Sequence, residues 1–240
     1  MKTVLISGGN RGIGLETAKK FSIHGYLVFL GTRSYENTLT VSNEMKSSGD
    51  TNIIPVLLDI TVEKSVKEAY AFIAKHTPNL DVLINNAGIR GVQPQPAASF
   101  GVEHIKSIFE TNLFGAIHLT QAVMPLLEKS KMPRIVNVSS ELASLTLHDN
   151  EDWKFYNFKD AGYGPSKTAL NAYTVMLAYE LRNTAFKVNA VDPGYTATAF
   201  NGFKGTGKVS QAAELIFKYA TLDQSGPTGQ FVSCEGQLPW

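Results

Sequence analysis

"KTVLISGGNRGIGLETAKKF", Lys2 to Phe21, decides how this chain folds. The run from Lys2 to Ser7 is rich in apolar and β-branched residues, as a strand buried on both faces should be. Gly8, Gly12 and Gly14 follow in a G-x-x-x-G-x-G spacing, and a helical pattern begins at once. Glycines there permit a tight turn and let backbone N–H groups approach a pyrophosphate at the positive end of the helix. An isolated glycine turn serves packing about as often as it serves a nucleotide. Its place between a first strand and a first helix favours the nucleotide. Asn10, Arg11 and Ile13 share this loop and join Gly8, Gly12 and Gly14 as candidate cofactor contacts.

The same alternation continues along the chain. Residues 26–31, 53–59, 80–85, 134–140, 186–192 and 229–233 read as further strands, which makes about seven. Helical patterns lie near 12–24, 36–48, 62–76, 101–129, 163–183 and 208–220. Strands alternating with helices predict an α/β fold, a doubly wound parallel sheet of Rossmann type in three α/β/α layers. Residues 1–240 read as a single domain. The irregular stretch at 142–162 reads as a loop insertion on the substrate side, since long loops in such folds tend to be functional.

Composition excludes several classes of function. With 22 basic and 21 acidic residues in 240, the chain carries no electrostatic footprint for nucleic acid or an anionic membrane. No apolar run approaches the ~20 residues a spanning helix needs, and the N-terminal one is too short for a signal-peptide core. The single cysteine, Cys234, cannot form an internal disulfide and fits a reducing compartment. The expectation is a cytoplasmic protein. The five histidines do not cluster, no metal-ligand spacing occurs, and no G-x-S-x-G nucleophile elbow is present.

Ligands of a doubly wound sheet bind beyond the strand ends, so residues just after each strand carry the functional argument. Arg11 sits in the glycine loop, and Arg33 follows the second strand, where Thr32 takes the place of the usual ribose-binding acid. Two cations with no acid at the end of the second strand suit a 2′-phosphate and predict NADP(H) over NAD(H). Asp59, followed by Ile60, ends the third strand and either meets the adenine or caps the next helix. Asn86, Ala87 and Gly88 end the fourth. Ser139 and Ser140 end the fifth, and "DPGYTAT", Asp192 to Thr198, follows the sixth.

Tyr163 and Lys167 stand four residues apart where a helix begins. Hydride delivered to a carbonyl leaves an alkoxide that needs a proton. A phenol supplies it if its pKa, about 10 in peptides, falls towards neutrality. A lysine one turn away has the right sign to lower it, and a serine hydroxyl can hold the carbonyl oxygen.

Together these residues resemble the short-chain dehydrogenase/reductase family over essentially the whole chain. The glycine loop, Asn85 to Gly88, the serine ending strand five, Tyr163-x-x-x-Lys167 and Pro193-Gly194 carry the resemblance. It implies that Tyr163 is the proton donor, that Lys167 binds the nicotinamide ribose and tunes Tyr163, and that Ser140 orients the carbonyl. It further implies that Asn112 holds a relay water, and that Pro193, Gly194, Thr196 and Thr198 meet the cofactor. Within the family the carbonyl-reductase branch is the more similar. That branch's long insertion before the tyrosine is only partly matched by the 22 residues between Ser140 and Tyr163, so monomer or homodimer both fit.

The implied function is an NADPH-dependent reductase of small ketones or aldehydes. The alternative is a non-enzymatic NADP(H) sensor on the same fold. An epimerase or dehydratase would share the Tyr-Lys pair but need a larger C-terminal part. Leu142 and Tyr195 are the best substrate contacts. For Trp153, Phe155, Phe158 and Phe200, ordinary packing is the preferred reading of each taken singly.

Overall fold

The structure, a computed structural model, describes residues 1–47 and 52–240. Seven strands lie parallel: β1 (Thr3–Ser7), β2 (Leu27–Thr32), β3 (Ile53–Leu57), β4 (Val82–Asn85), β5 (Arg134–Val138), β6 (Lys187–Val191) and β7 (Phe231–Ser233). An eighth, β8 (Gly236–Gln237), turns back antiparallel to β7. Two residues carry no periodicity, so sequence patterning counts seven.

The sheet order is β3-β2-β1-β4-β5-β6-β7-β8. The chain winds outward from β1 to β3, then crosses back to β4 on the far side of β1. That reversal opens a crevice at the C-terminal ends of β1 and β4, where doubly wound folds take ligands.

Period-2 alternation in β1 builds both faces of the core. Leu5 packs with Phe29, Leu83, Ile135 and Val188 under α3 (Glu63–His76), α5 (Ala116–Leu127) and α7 (Tyr163–Glu180), which supply Ile73, Leu119 and Leu177. Val4 and Ile6 face the other way, with Val28, Leu30, Ile84 and Val136. Phe21 of α1 (Gly12–Ile23) and Ile216 of α8 (Val209–Ala220) cover them. Each such side chain contributes about 1.5–3 kcal/mol on burial. The helix expected at 36–48 is α2 (Tyr35–Ser47), and residue 48 lies outside the described residues.

Two sequence expectations need correction. The helix at 101–129 is broken into α4 (Val102–Phe109), a π-helical turn at Glu110–Gly115, and α5. Apolar periodicity cannot register such a turn, because one extra residue per turn shifts the pattern only locally. The stretch 142–162 is partly ordered into a 3₁₀ turn, Glu141–Ala143, and the one-turn helix α6 (Leu145–His148). Ser140 and Ser144 cap these turns with their side chains.

Candidate active site

A cleft of about 560 Å³ opens at the C-terminal end of the sheet. It is bordered at one end by Gly8, Asn10, Arg11, Gly12, Ile13, Gly14, Arg33, Asp59 and Ile60. At the other lie Ser140, Leu142, Tyr163, Lys167 and Tyr195, with Asn86, Ala87, Gly88, Pro193, Gly194, Thr196 and Thr198 between. Asn112 stands behind the wall.

The glycine loop leaves its helix end open. Arg11 is the N-cap of α1 without a side-chain cap bond, and the first turn holds no acid. Its N–H groups therefore face the cleft, suited to an anion. At Gly14 a Cβ would stand 2.5 Å from both Asn86 Nδ2 and Gly8 O, so only glycine lets the loop close this tightly. Arg11 and Arg33 are exposed at the cleft edge and take part in no ion pair among the described residues. A free helix terminus, a glycine cradle and two unpaired cations fit a dinucleotide phosphate group.

Several expected cofactor contacts act on the protein itself. Asn86 Nδ2 donates to Ser7 O at 2.9 Å and Gly8 O at 3.0 Å, so its side chain fastens the loop. Ser7 Oγ accepts from the Asn86 and Ala87 amides, 3.1 Å each; nothing in the sequence pattern marked this serine. Thr196 Oγ1 donates to Pro193 O at 3.0 Å and stiffens that turn. Asp59 Oδ1 accepts from Thr61 N at 2.9 Å and from Thr61 Oγ1 at 2.6 Å. It therefore closes a turn and does not cap α3, whose N-cap is Val62. The methyl of Thr198 would meet a Cβ on Gly12 at 3.3 Å, which places it against the loop.

At the chemical end, Tyr163 is the first residue of α7 and Lys167 lies one turn on. The Lys167 ammonium stands 6.0 Å from the Tyr163 ring centroid and donates to Val138 O at 2.8 Å. An ammonium has three N–H groups, which leaves two for other acceptors in the cleft. Ser140 lies beside the phenol and draws its pKa down. Ser139 instead points into the core and donates to Asn171 Oδ1 at 2.7 Å. Both serines lie just past β5, which ends at Val138, where Ser140 keeps extended backbone, and neighbours in extended chain face opposite ways. At Gly164 a Cβ would come 2.9 Å from Leu142 O. Glycine thus admits the chain after Ser140 against the first turn of α7, despite Pro165 just beyond.

Residues outside the sequence motifs hold that turn. Gln95 Oε1 accepts from the Gly162 and Tyr163 amides at 3.0 and 3.2 Å, and Asp160 Oδ1 accepts from Gly164 N at 2.7 Å. These are the N–H groups a helix start leaves unpaired. Ser166 Oγ donates to Tyr163 O at 2.7 Å and accepts from Asn112 Nδ2 at 2.9 Å. Asn112 Oδ1 meanwhile accepts from Ile89 N at 2.8 Å, and Nδ2 also reaches Ile89 O at 2.9 Å. Its side chain is thereby fully engaged, so a relay water would have to meet the Asn112 backbone.

The expected tuning of tyrosine by lysine takes a different form. Burial is the largest influence on both groups: it raises the Tyr163 pKa and lowers Lys167 to about 8. For the phenol, burial opposes the downward shift the sequence reading expects, and the Ser140 hydrogen bond and the Arg90 charge work against burial. Asp192 is also buried, which pushes its carboxyl up to about 7, with repulsion from Glu141 adding to the effect.

On the substrate side Leu142, Phe155, Phe158, Tyr195 and Phe200 border the cleft. Phe155, Phe158 and Phe200 both border the cleft and pack on neighbours; Phe155 meets Trp153 and Tyr195, and Phe200 lies 5.6 Å from the Tyr163 ring. Trp153 is buried, with Nε1 donating to Glu141 Oε2 at 3.1 Å.

A parallel sheet with a glycine loop at its switch point and a tyrosine-lysine pair across the cleft defines a nucleotide-dependent oxidoreductase. The family model for short chain dehydrogenase matches residues 2–208. A short-chain dehydrogenase of Penicillium roqueforti, anuI, is 31% identical over 91% of this chain and 88% of its own. Salutaridine reductase from Papaver somniferum superimposes with a TM-score of 0.84 at 27% identity, covering 96% of this chain and 99% of that one. An NADPH-bound carbonyl reductase from chicken fatty liver gives 0.86 at 25% identity, over 100% and 99%. The chain belongs to the short-chain dehydrogenase/reductase family and is an oxidoreductase acting between alcohol and carbonyl. Among the described residues no helix is long and apolar enough to cross a membrane.

Proposed function

We propose that this enzyme is a cytoplasmic, NADPH-dependent reductase of small ketones and aldehydes. The observation that carries the reading is Tyr163 beside Ser140 and Lys167 at one end of a cleft whose other end holds Arg11 and Arg33. The similarity to an NADPH-bound carbonyl reductase supports the cofactor and the substrate class.

When bound, the nicotinamide supplies a hydride to the carbonyl carbon. Ser140 holds the carbonyl oxygen, and such donors contribute about 10²–10³ in rate. Tyr163 gives its phenolic proton to that oxygen as charge develops, a step worth about 10²–10⁴. Lys167, anchored on Val138 O, directs its remaining N–H groups to the nicotinamide ribose hydroxyls. Its ammonium stabilises the tyrosinate left behind, which regains a proton from solvent. Arg11 and Arg33 hold the 2′-phosphate, and the open end of α1 holds the pyrophosphate.

Steady-state rates with NADPH and NADH on activated ketones test this. Arg33→Asp should reverse the cofactor preference by raising KM for NADPH about tenfold or more while sparing NADH. An unchanged ratio would remove Arg33 from the phosphate site.

A further inference from the structure

Every acid at the substrate end of the cleft is provided for. Glu141 pairs with Lys154 at 2.9 Å and accepts from Trp153. Asp160 accepts from the Gly164 amide, and Asp192 faces the backbone N–H groups of Glu141 and Gly194. One cation at this end, Arg90, has no such partner. Arg90 follows β4 by five residues, borders the cleft, and keeps its guanidinium 5.3 Å over the Phe158 ring. Among the described residues no carboxylate lies within ion-pair distance of it. Its charge still reaches Tyr163 and Asp160 and draws both pKa values downward, without an ion pair to the carboxylate.

The arrangement is built to hold its spacing. Gln95, 2% exposed, donates from Nε2 to Arg90 O at 2.8 Å and accepts at Oε1 from Tyr163 N at 3.2 Å. One buried side chain therefore ties the backbone of the cation to that of the proton donor. The pyrophosphate end of the cleft, at α1, already has its own cations, Arg11 and Arg33. Arg90 lies past Gly88 and Ile89 and against Phe158, on the cleft lining it shares with Phe155 and Phe200.

We propose that Arg90 anchors an anionic group of the substrate, so that the preferred substrate is a ketone or aldehyde whose apolar or aromatic body carries a carboxylate. The proposal rests on the reductase reading above. The aromatic walls take the body, Tyr163 and Ser140 take the carbonyl oxygen, and the guanidinium fork takes the carboxylate in a geometry a lysine cannot reproduce.

The test compares meta- and para-formylbenzoate with their uncharged methyl esters as substrates for the full chain with NADPH. At least one acid should exceed its ester in kcat/KM by about tenfold, mainly through KM, and added salt should erode the margin. Arg90→Gln should bring the ratio near one, and Arg90→Lys should restore part of it. Equal or better use of both esters by the wild-type enzyme would overturn the anchor while leaving the reductase reading intact. A ratio unmoved in a folded Arg90→Gln enzyme would do the same. Failure of both acids and esters to be reduced, with either nicotinamide cofactor, would overturn the reductase reading and the anchor with it.

Discussion

Ser139 and Ser140 are chemically identical neighbours, yet the backbone gives them unrelated work. Ser139 is 2% exposed and gives its hydroxyl to Asn171, whereas Ser140 lies beside Tyr163. Ser140→Ala should therefore lower kcat about 10²–10³-fold through the lost carbonyl-oxygen donor. Ser139→Ala should leave the rate within a few-fold and lower stability by about 1 kcal/mol, because it unpairs the buried Asn171. Rates and urea midpoints of the two variants check this, and the reverse ranking would exchange their roles. This distinction was legible in sequence only as a strand alternation. The Asn112 side chain was less so: its type and position mark the helix, but its partners Ile89 and Ser166 lie 23 and 54 residues away.

At the level of elements, the first turn of α7 is the part to perturb. Tyr163 and Lys167 are visible in sequence because a helix spaces them locally. What aims them is not visible: Gln95 reaches Gly162 across 67 residues, from the irregular segment before α4. No local pattern announces such a bond. Gln95→Leu should reduce kcat about 10–100-fold, since small misplacements of a reacting group carry that penalty, and should leave KM for NADPH nearly unchanged. Gln95→Glu keeps an acceptor for the α7 amides and should recover part of kcat. A loss confined to thermal stability, with kcat intact, would reduce Gln95 to packing. The strands and most helices were legible for the opposite reason, since alternation in β1 alone distinguishes Leu5 from Val4 and Ile6. The π-helical turn and β8 were not, because neither is long enough to leave a period.

For the molecule as a whole, buried charge sets the pH response. Asp192 keeps its proton to about pH 7 when folded, against an ordinary value of 3.8. Between about pH 4 and 7 the unfolded chain ionises this group and the folded chain does not. Stability should therefore fall across that window, by up to a few kcal/mol from this group. Lys167 acts in the opposite sense. Its folded pKa of about 8 lies below the usual 10.5, so stability from this group rises with pH between those values. Asp192→Asn should flatten the acid-to-neutral slope measured by urea unfolding, and an unchanged slope would show that Asp192 ionises normally. Arg134 is the structural counterpart at the opposite end of the sheet. It is 2% exposed and donates to carbonyls of Pro133, Ala185, Leu222 and Asp223. Sequence could not reveal it, because burial of this arginine depends on partners gathered from two distant segments, at Ala185 and at Leu222 and Asp223.

The central claim is that Tyr163 gives the proton, and Tyr163→Phe tests it most directly. The variant keeps the ring and its packing against Phe200 while removing one oxygen. Single-turnover reduction of an activated ketone with saturating NADPH should fall by about 10²–10⁴-fold, with NADPH affinity changed less than about threefold. A Tyr163→Phe enzyme that retains most of its rate would contradict the account.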